Sequence, residues 1–421
     1  MIRFIVLHIL KIEPYSDYAT LFNAAWNLKD GINVMADSPY FNMWGFQTGY
    51  VLYQTVLFKI FQSEMALHVF DCFYTSASCT MIYLMGKDLW KSDQKLPSFL
   101  YTVYLFAIAY TGVLSNQHLY VFLVLIAIWL WLREREKSNT IKISLIVGVL
   151  LAIANIIRPE VILVVSAMIL YEFLKIETKE DWKKWIKKIL ILLGTFLFFT
   201  QTASFLVQKT GLNPSGLENK NILWKFVCGS DYEVGGGYSL RGEPISNDQE
   251  AEKQFILDNY TSLTPSEWLI FFKKKINNFW TNDSYGWVSA TVGEEKEIIS
   301  GISMSSETII QIVRIMDGMG YLVIFFFALV SMAKARKAND VHSPKNFFLI
   351  LLLLHFLVYL VIETQTRYAY LARILLFILA MDGMKTWKED QISQKMKNWM
   401  KEKGENIKKK REKAKLDEKK V

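Results

Sequence analysis

Apolar runs divide the chain into a ladder. The stretches 66–85, 96–113, 119–132, 141–157, 161–174, 186–207, 315–333, 347–362 and 368–384 approach the roughly 20 apolar residues that a helix needs to cross a bilayer. The start, 1–12, is equally apolar but about half that length, and reads as a truncated first span. Two other segments have a different character. Residues 18–29 set Leu21, Phe22, Ala25 and Leu28 at helical spacing and stop at Asp30-Gly31, while 49–61 is apolar but carries Gln54 and Lys59. Both predict helices lying at the membrane interface rather than across it. The expected fold is therefore mainly α, a polytopic membrane helical bundle of about ten to eleven spans with interfacial helices.

Lysine and arginine orient the ladder. The connections 87–95, 133–142, 175–188 and 334–345 are basic, as is everything after Lys385. The positive-inside rule assigns this set to the cytoplasm. The alternate connections, 13–65, 114–118, 158–160, 208–314 and 363–367, then face outward together. The longest of them carries Gly235-Gly236-Gly237 and three prolines, with one good helix at Pro265–Trp280 capped by Thr264 or Ser266. The implied organisation is an N-terminal membrane module (1–207) whose first outward loop is 13–65, an extracytoplasmic cap (208–314), C-terminal spans (315–384) and a basic cytoplasmic tail (385–421). No internal repeat is visible.

Composition sharpens this picture only in part. Of 421 residues, 52% are hydrophobic and 14% aromatic, with mean hydropathy +0.20, which suits a multi-pass cell-membrane protein with sizeable polar loops. The net charge of +8 invites a nucleic-acid reading, but +7 of it belongs to the tail, where fourteen Lys/Arg face seven Asp/Glu. A basic tail beside a final span implies anionic membrane lipid as its partner and argues against nucleic acid. Cys72 and Cys79 share one apolar helix and Cys228 stands alone, a pattern of packing residues with no zinc or disulfide spacing.

The candidate chemistry gathers at the outward connections. Asp17 follows the first apolar run through Pro14 and begins a predicted helix, so helix capping by Ser16 or Asp17 is the plain alternative to a catalytic role. Arg158-Pro159-Glu160 joins two spans, and Glu363-Thr364-Gln365-Thr366-Arg367-Tyr368 interrupts the last apolar region. Taken singly, Arg158 pairs with Glu160, and Glu363 with Arg367 at i,i+4. Taken together, two arginines facing the same side as a lone aspartate form an anion pocket, because guanidinium holds phosphate with two parallel hydrogen bonds. His118 is the one histidine at an outward loop, with a hydroxyl or phosphate contact open to it; His68 and His355 read as structural. Asp231, Glu233 and Glu294-Glu295 read as solvated loop charges, and Asp71 and Asp317 receive a minor vote. No P-loop, dinucleotide fingerprint, nucleophile elbow or zinc motif appears.

An acid in the first outward loop, followed by surface helices, Pro39-Tyr40, Gly49-Tyr50, the Arg158-Pro159 turn and the late Glu363–Tyr368 element, resembles the GT-C glycosyltransferases. The resemblance is to the bacterial branch related to protein O-mannosyltransferases and lipid A aminoarabinose transferases. It implies an inverting transfer of a sugar from a polyprenyl-phosphate donor to a glycan, lipid or protein acceptor, most readily in the cell envelope. Asp17 would be the general base, and Arg158, Arg367, Tyr368, Glu363 and His118 would bind substrate. No cofactor is implied, and a divalent metal requirement is left open. Protein O-mannosyltransferases carry an Asp-Glu pair where this chain has Asp17-Tyr18, which weighs against a protein acceptor. The competing classes are a polysaccharide polymerase and a lipid-linked sugar flippase; the second should show charge along a path through the membrane.

Overall fold

The computed structural model describes residues 2–10, 13–91, 95–133, 140–280, 296–299, 302–304, 306–338 and 341–391, and singly 394 and 403. Most of the basic tail expected to meet anionic lipid, together with Glu294-Glu295 and the Asp317 side chain, lies outside the described residues. The architecture is a membrane helical bundle with one short antiparallel hairpin, β1 (Lys296–Ile299) and β2 (Ile302–Met304).

The chain opens with α1 (Ile2–Leu10), then α2 (Asp17–Lys29), α3 (Pro39–Met43), α4 (Gln47–Phe61) and α5 (Met65–Trp90). The expected span over 96–113 is a correction: it is broken into α6 (Lys95–Thr102) and α7 (Leu105–Tyr110). The break falls where Tyr104 is extended (ψ 110) and its ring packs with Tyr101, Phe106 and Phe377. Aromatic packing there outweighs the continuity of the helical ladder.

Four helices follow, α8 (Gln117–Arg133), α9 (Thr140–Ile157), α10 (Val161–Phe173) and α11 (Lys179–Lys209). The last begins seven residues before its apolar run, because Thr178 and Asp181 form a reciprocal capping box that satisfies the first N–H groups. Helix α8 packs on α5 and α9, and α9 packs on α11. Gly49 in α4 permits a close crossing: a Cβ there would lie 1.8 Å from the Ile156 carbonyl oxygen of α9.

The long polar segment after α11 contributes α12 (Leu223–Ser230), α13 (Gln249–Thr261) and α14 (Pro265–Trp280). Thr264, not Ser266, caps α14: its hydroxyl accepts from Glu267 N while the Glu267 carboxylate accepts from Thr264 N at 2.8 Å. This segment is sewn to the connection 13–65, since Asn213 donates to the Phe41 carbonyl and Thr48 Oγ1 at 2.9 Å each, and Lys220 N donates to Met43 O. Asp231 is a second correction. It is fully buried, accepts from Ser239 Oγ at 2.5 Å and pairs with Arg241 at 3.4 Å, so it organises the cap interior rather than meeting solvent. Glu233 does remain exposed, paired to the same arginine.

Helices α15 (Ser306–Ala338), α16 (Pro344–Val361) and α17 (370–391) complete the bundle. Among the described residues four helices are long and apolar enough to cross a membrane: α9, α11, α15 (through Arg314–Lys334) and α16. The other expected spans are shorter or hold charge. Leu190, Phe198 and Leu322 stand more than 60% exposed on α11 and α15, the pattern of a lipid-facing surface. Helix α17 is instead buried from Tyr370 to Met384, a stretch at the centre of the hydrophobic core, and only its last turn is exposed.

Candidate active site

Five chain segments separated by the ladder of helices meet at one end of the bundle. They are the same five that alternate with the basic connections, and they enclose a cavity of about 510 Å³. Asp17, Asn116, Arg158, Lys225 and Arg367 represent one segment each on its wall.

Asp17 is the first residue of α2, presented by Ser16 in a positive-φ conformation (φ 51) that a non-glycine residue holds at a cost. Ser16 makes no side-chain cap bond. The Asp17 carboxylate instead accepts from Arg367 Nη2 at 3.2 Å. The expected i,i+4 pairing of Arg367 with Glu363 is thus absent. Residues 363–365 are not helical, and a 3-10 turn begins only at Thr366, so the two side chains diverge. Glu363 turns to Lys225 of α12, which bonds both its carboxylate and, at 3.3 Å, the Tyr368 hydroxyl. Burial raises the Glu363 carboxyl, but the Lys225 ammonium outweighs this and holds it below the ordinary range. Burial likewise opposes charge on Lys225, which Glu363 overcomes.

The Arg158–Glu160 pair expected from sequence is present, and Tyr359 donates to the same carboxylate at 2.9 Å. Arg158 Nη1 donates to Asn116 Oδ1 at 3.1 Å, while its buried Nε has no hydrogen-bond partner among the described residues. The ring of Tyr368 ties the arrangement together. Arg158, Lys225 and Arg367 each approach its centroid at 5.5 Å, within cation–π range. Three cations from three segments therefore share one aromatic anchor.

His118 belongs elsewhere. It is 1% exposed and outside the cavity lining, with Nε2 against the Tyr110 and Val113 carbonyls at 3.1 and 3.2 Å. Expected as a substrate contact, it closes the turn between α7 and α8 instead. Sequence reasoning noted Tyr40 only as part of the Pro39-Tyr40 element, and missed Lys225 and the aromatic walls Trp44, Trp224 and Tyr238. Only the Trp-Lys dipeptide at 224–225 hints at them, and such a pair is common on any polar helix. No group of three or more His, Cys, Asp or Glu that could hold a metal occurs among the described residues.

A family model described as a family of unknown function (DUF6427) matches residues 45–223. No curated protein matches the chain. Among solved structures, the chain is similar to the Archaeoglobus fulgidus oligosaccharyltransferase in the apo form, with 12% identity, a TM-score of 0.46, and coverage of 95% of this chain and 52% of that one. It is also similar to the archaeal oligosaccharyltransferase AglB from Archaeoglobus fulgidus in complex with an inhibitory peptide and a dolichol-phosphate. There the identity is 10%, the TM-score 0.46, and the coverage 94% of this chain and 51% of that one. The chain spans about half the length of these structures.

Proposed function

We propose that the protein transfers a sugar from a polyprenyl-phosphate donor to an acceptor hydroxyl of a cell-envelope glycan or lipid, in a cavity on the outer face of the membrane. One observation supports this above the rest. A part-exposed carboxylate, Asp17, adjoins a cluster of Arg158, Lys225 and Arg367 drawn from distant segments around a single cavity.

The chemistry divides between the two signs of charge. Asp17 takes the acceptor hydroxyl proton as that oxygen bonds the anomeric carbon from the face opposite the phosphate. The bond from that carbon to the phosphate oxygen breaks, and its electron pair leaves on the phosphate. Inversion follows from the opposed geometry. A phosphate monoester has a second pKa of roughly 6, so the leaving group needs charge stabilisation more than a proton. Arg158, Lys225 and Arg367 supply it, with Tyr368 holding all three in place. Ile162, Leu163, Val358 and Ile362 line the cavity on the side of α10 and α16, an apolar flank suited to the first isoprene units. Tyr40, Trp44 and Trp224 offer amphipathic walls for sugar rings.

The test is sugar transfer in vesicles from a panel of labelled polyprenyl-phosphate sugars, comparing wild type with Asp17→Asn. We expect transfer to fall by roughly 10²-fold or more, the usual contribution of a general base, with insertion into the membrane unchanged. Full activity of the Asn variant removes Asp17 as the base. Arg3, Asp71 and Arg373, buried within α1, α5 and α17, favour a second reading, a flippase for lipid-linked sugar, because charge at membrane depth marks transport paths. That reading requires transbilayer movement of the labelled donor that survives Asp17→Asn.

A further inference from the structure

We infer that the Ser115-Asn116-Gln117 turn is a shared positioning element for both guanidinium groups of the cavity, with Asn116 holding Arg158 and Gln117 holding Arg367. The inference rests on the anion-binding reading given above. All three residues are buried, at 1%, 4% and 1% exposure, at the junction of α7 and α8.

Each amide is used at both ends. Asn116 Nδ2 donates to the Ile157 carbonyl, the last of α9, at 3.3 Å, while Oδ1 accepts from Arg158 Nη1 at 3.1 Å. The Arg158 head is therefore fixed to the helix end from which its own main chain emerges. The Gln117 side chain donates to the main-chain carbonyl of Arg367 and accepts from the Tyr110 hydroxyl. Ser115 Oγ completes the turn, accepting from Gln117 N at 3.2 Å and donating its own proton to Tyr110 Oη at 3.0 Å, whose proton is spent on Gln117. Tyr110 Oη also lies 3.3 Å from the hydroxyl of Tyr18, the neighbour of Asp17. Three adjacent residues thus reach Arg158, Arg367 and the start of the helix that presents the carboxylate.

Amides suit this task for an electrostatic reason. A carboxylate at 116 would orient Arg158 but add another negative charge beside the phosphate. A lysine would repel the guanidinium. An amide accepts and donates at once and carries no net charge, so it fixes the arginine without neutralising it. Gln117 is likewise uncharged, and it positions Arg367 through the main-chain carbonyl rather than through the guanidinium.

The experiment uses the full chain in nanodiscs, with a short-chain isoprenyl monophosphate as probe and inorganic phosphate in parallel to separate lipid from headgroup recognition. Arg158→Ala and Arg367→Ala serve as references. We expect Asn116→Ala and Gln117→Met each to weaken probe binding by roughly three- to tenfold, the loss of one hydrogen bond to an oriented group, with a lowered melting temperature, since each leaves buried partners unpaired, but a folded protein at the assay temperature. Because Asn116 acts through Arg158, the double variant Asn116→Ala/Arg158→Ala should bind no worse than Arg158→Ala alone. Should Gln117→Met not fold, Gln117→Asn, polar but one methylene short, gives the same reading. Reference arginine variants that lose binding while the amide variants keep it, or losses at 116 and 158 that simply add, overturn the positioning role. Arginine variants that keep full binding overturn the anion pocket itself, and this inference with it.

Discussion

Asp17 and Arg367 stand 350 positions apart in the chain and meet as an ion pair at 3.2 Å. If Asp17 is the base and Arg367 part of the anion site, as proposed, each occupies the group the other needs, since a base must be free to accept a proton and an anion site must be open. On the function proposed above, donor binding would have to open this pair. In that proposal a donor phosphate would offer Arg367 two oxygens in the geometry that guanidinium prefers, and the released carboxylate would turn to the acceptor. Removing Arg367 should consequently act on the donor first. Arg367→Ala is expected to weaken donor binding by roughly tenfold to a hundredfold, the span set by a charged hydrogen bond. Arg367→Lys should recover part of the loss, because it keeps the charge without the fork. Donor titrations at saturating acceptor measure this directly; an unchanged donor KM would leave Arg367 as a structural partner of Asp17 only.

Lys225 and Glu363 make the corresponding join between cap and bundle. Their side chains pair, and Glu363 N donates to the Lys225 carbonyl at 2.8 Å, so main chain and side chain act together. Glu363 is 2% exposed while Lys225 is about a third exposed, so the lysine recovers some solvation if its partner is lost. Glu363→Ala should destabilise the protein by roughly 1–3 kcal/mol, less than a fully buried pair would cost. The loss should be local to the join. Amide hydrogen exchange across α12 is expected to rise in Glu363→Ala and less in Glu363→Gln, and equal protection in all three proteins would show that the backbone contacts alone hold the cap.

The parts of this arrangement that could be read in the sequence are those carried by repetition. Basic connections recur at every second turn of the ladder, and this alone grouped Asp17, Arg158, Arg367 and the cap on one side before any coordinates. The limits of α14 followed from Thr264, Pro265 and an apolar face at helical spacing. What escaped is whatever depends on contacts between segments. Lys225 matters because Glu363 and Tyr368 come to it, and nothing in its neighbours records that. Asp231 looked solvated because Ser239 and Arg241 enclose it only after the loop folds back. His118 was singled out as chemically versatile, yet its flanking amides reach the arginines while its own ring bonds the turn. The break between α6 and α7 was hidden because Tyr104 is apolar enough to extend a span.

Helix crossings make a sharper test of the packing. A Cβ on Gly49 would meet the Ile156 carbonyl at 1.8 Å, and one on Gly383 would meet the Phe327 carbonyl at 1.8 Å. Both obstacles are backbone, so neither can swing aside. Gly194 of α11 has nothing within 4 Å. Replacing helical glycine by alanine ordinarily gains roughly 0.5–1 kcal/mol, and Gly194→Ala should show that gain or no change. Gly49→Ala and Gly383→Ala should lower the melting temperature in detergent, because the helices must separate. A stable Gly49→Ala would mean that α4 and α9 do not cross as closely as described.

Lys275 supplies a pH dependence whose sign can be worked out. Its ammonium is fully buried in the cap, donating to the Gly229 and Ile362 carbonyls at 2.5 and 3.0 Å. Burial lowers its pKa from 10.5 to about 7, with Glu363 acting weakly in the opposite sense. The unfolded lysine keeps its proton up to its ordinary value, whereas the folded one begins to release it near neutrality. Between pH 7 and 10.5 the unfolded state therefore binds more protons, and stability rises with pH. Below that window both states are protonated and the contribution is flat at its least favourable. Lys275→Met removes the titration while keeping an unbranched chain in the same space. The melting temperature of the wild type relative to Lys275→Met should thus climb from pH 7 to pH 9.5 and change little below pH 6. Comparing the two proteins cancels the carboxylates and tyrosines that titrate in both. Parallel melting curves over the whole range would mean that Lys275 keeps its charge when folded, held by the two carbonyls more strongly than burial opposes it.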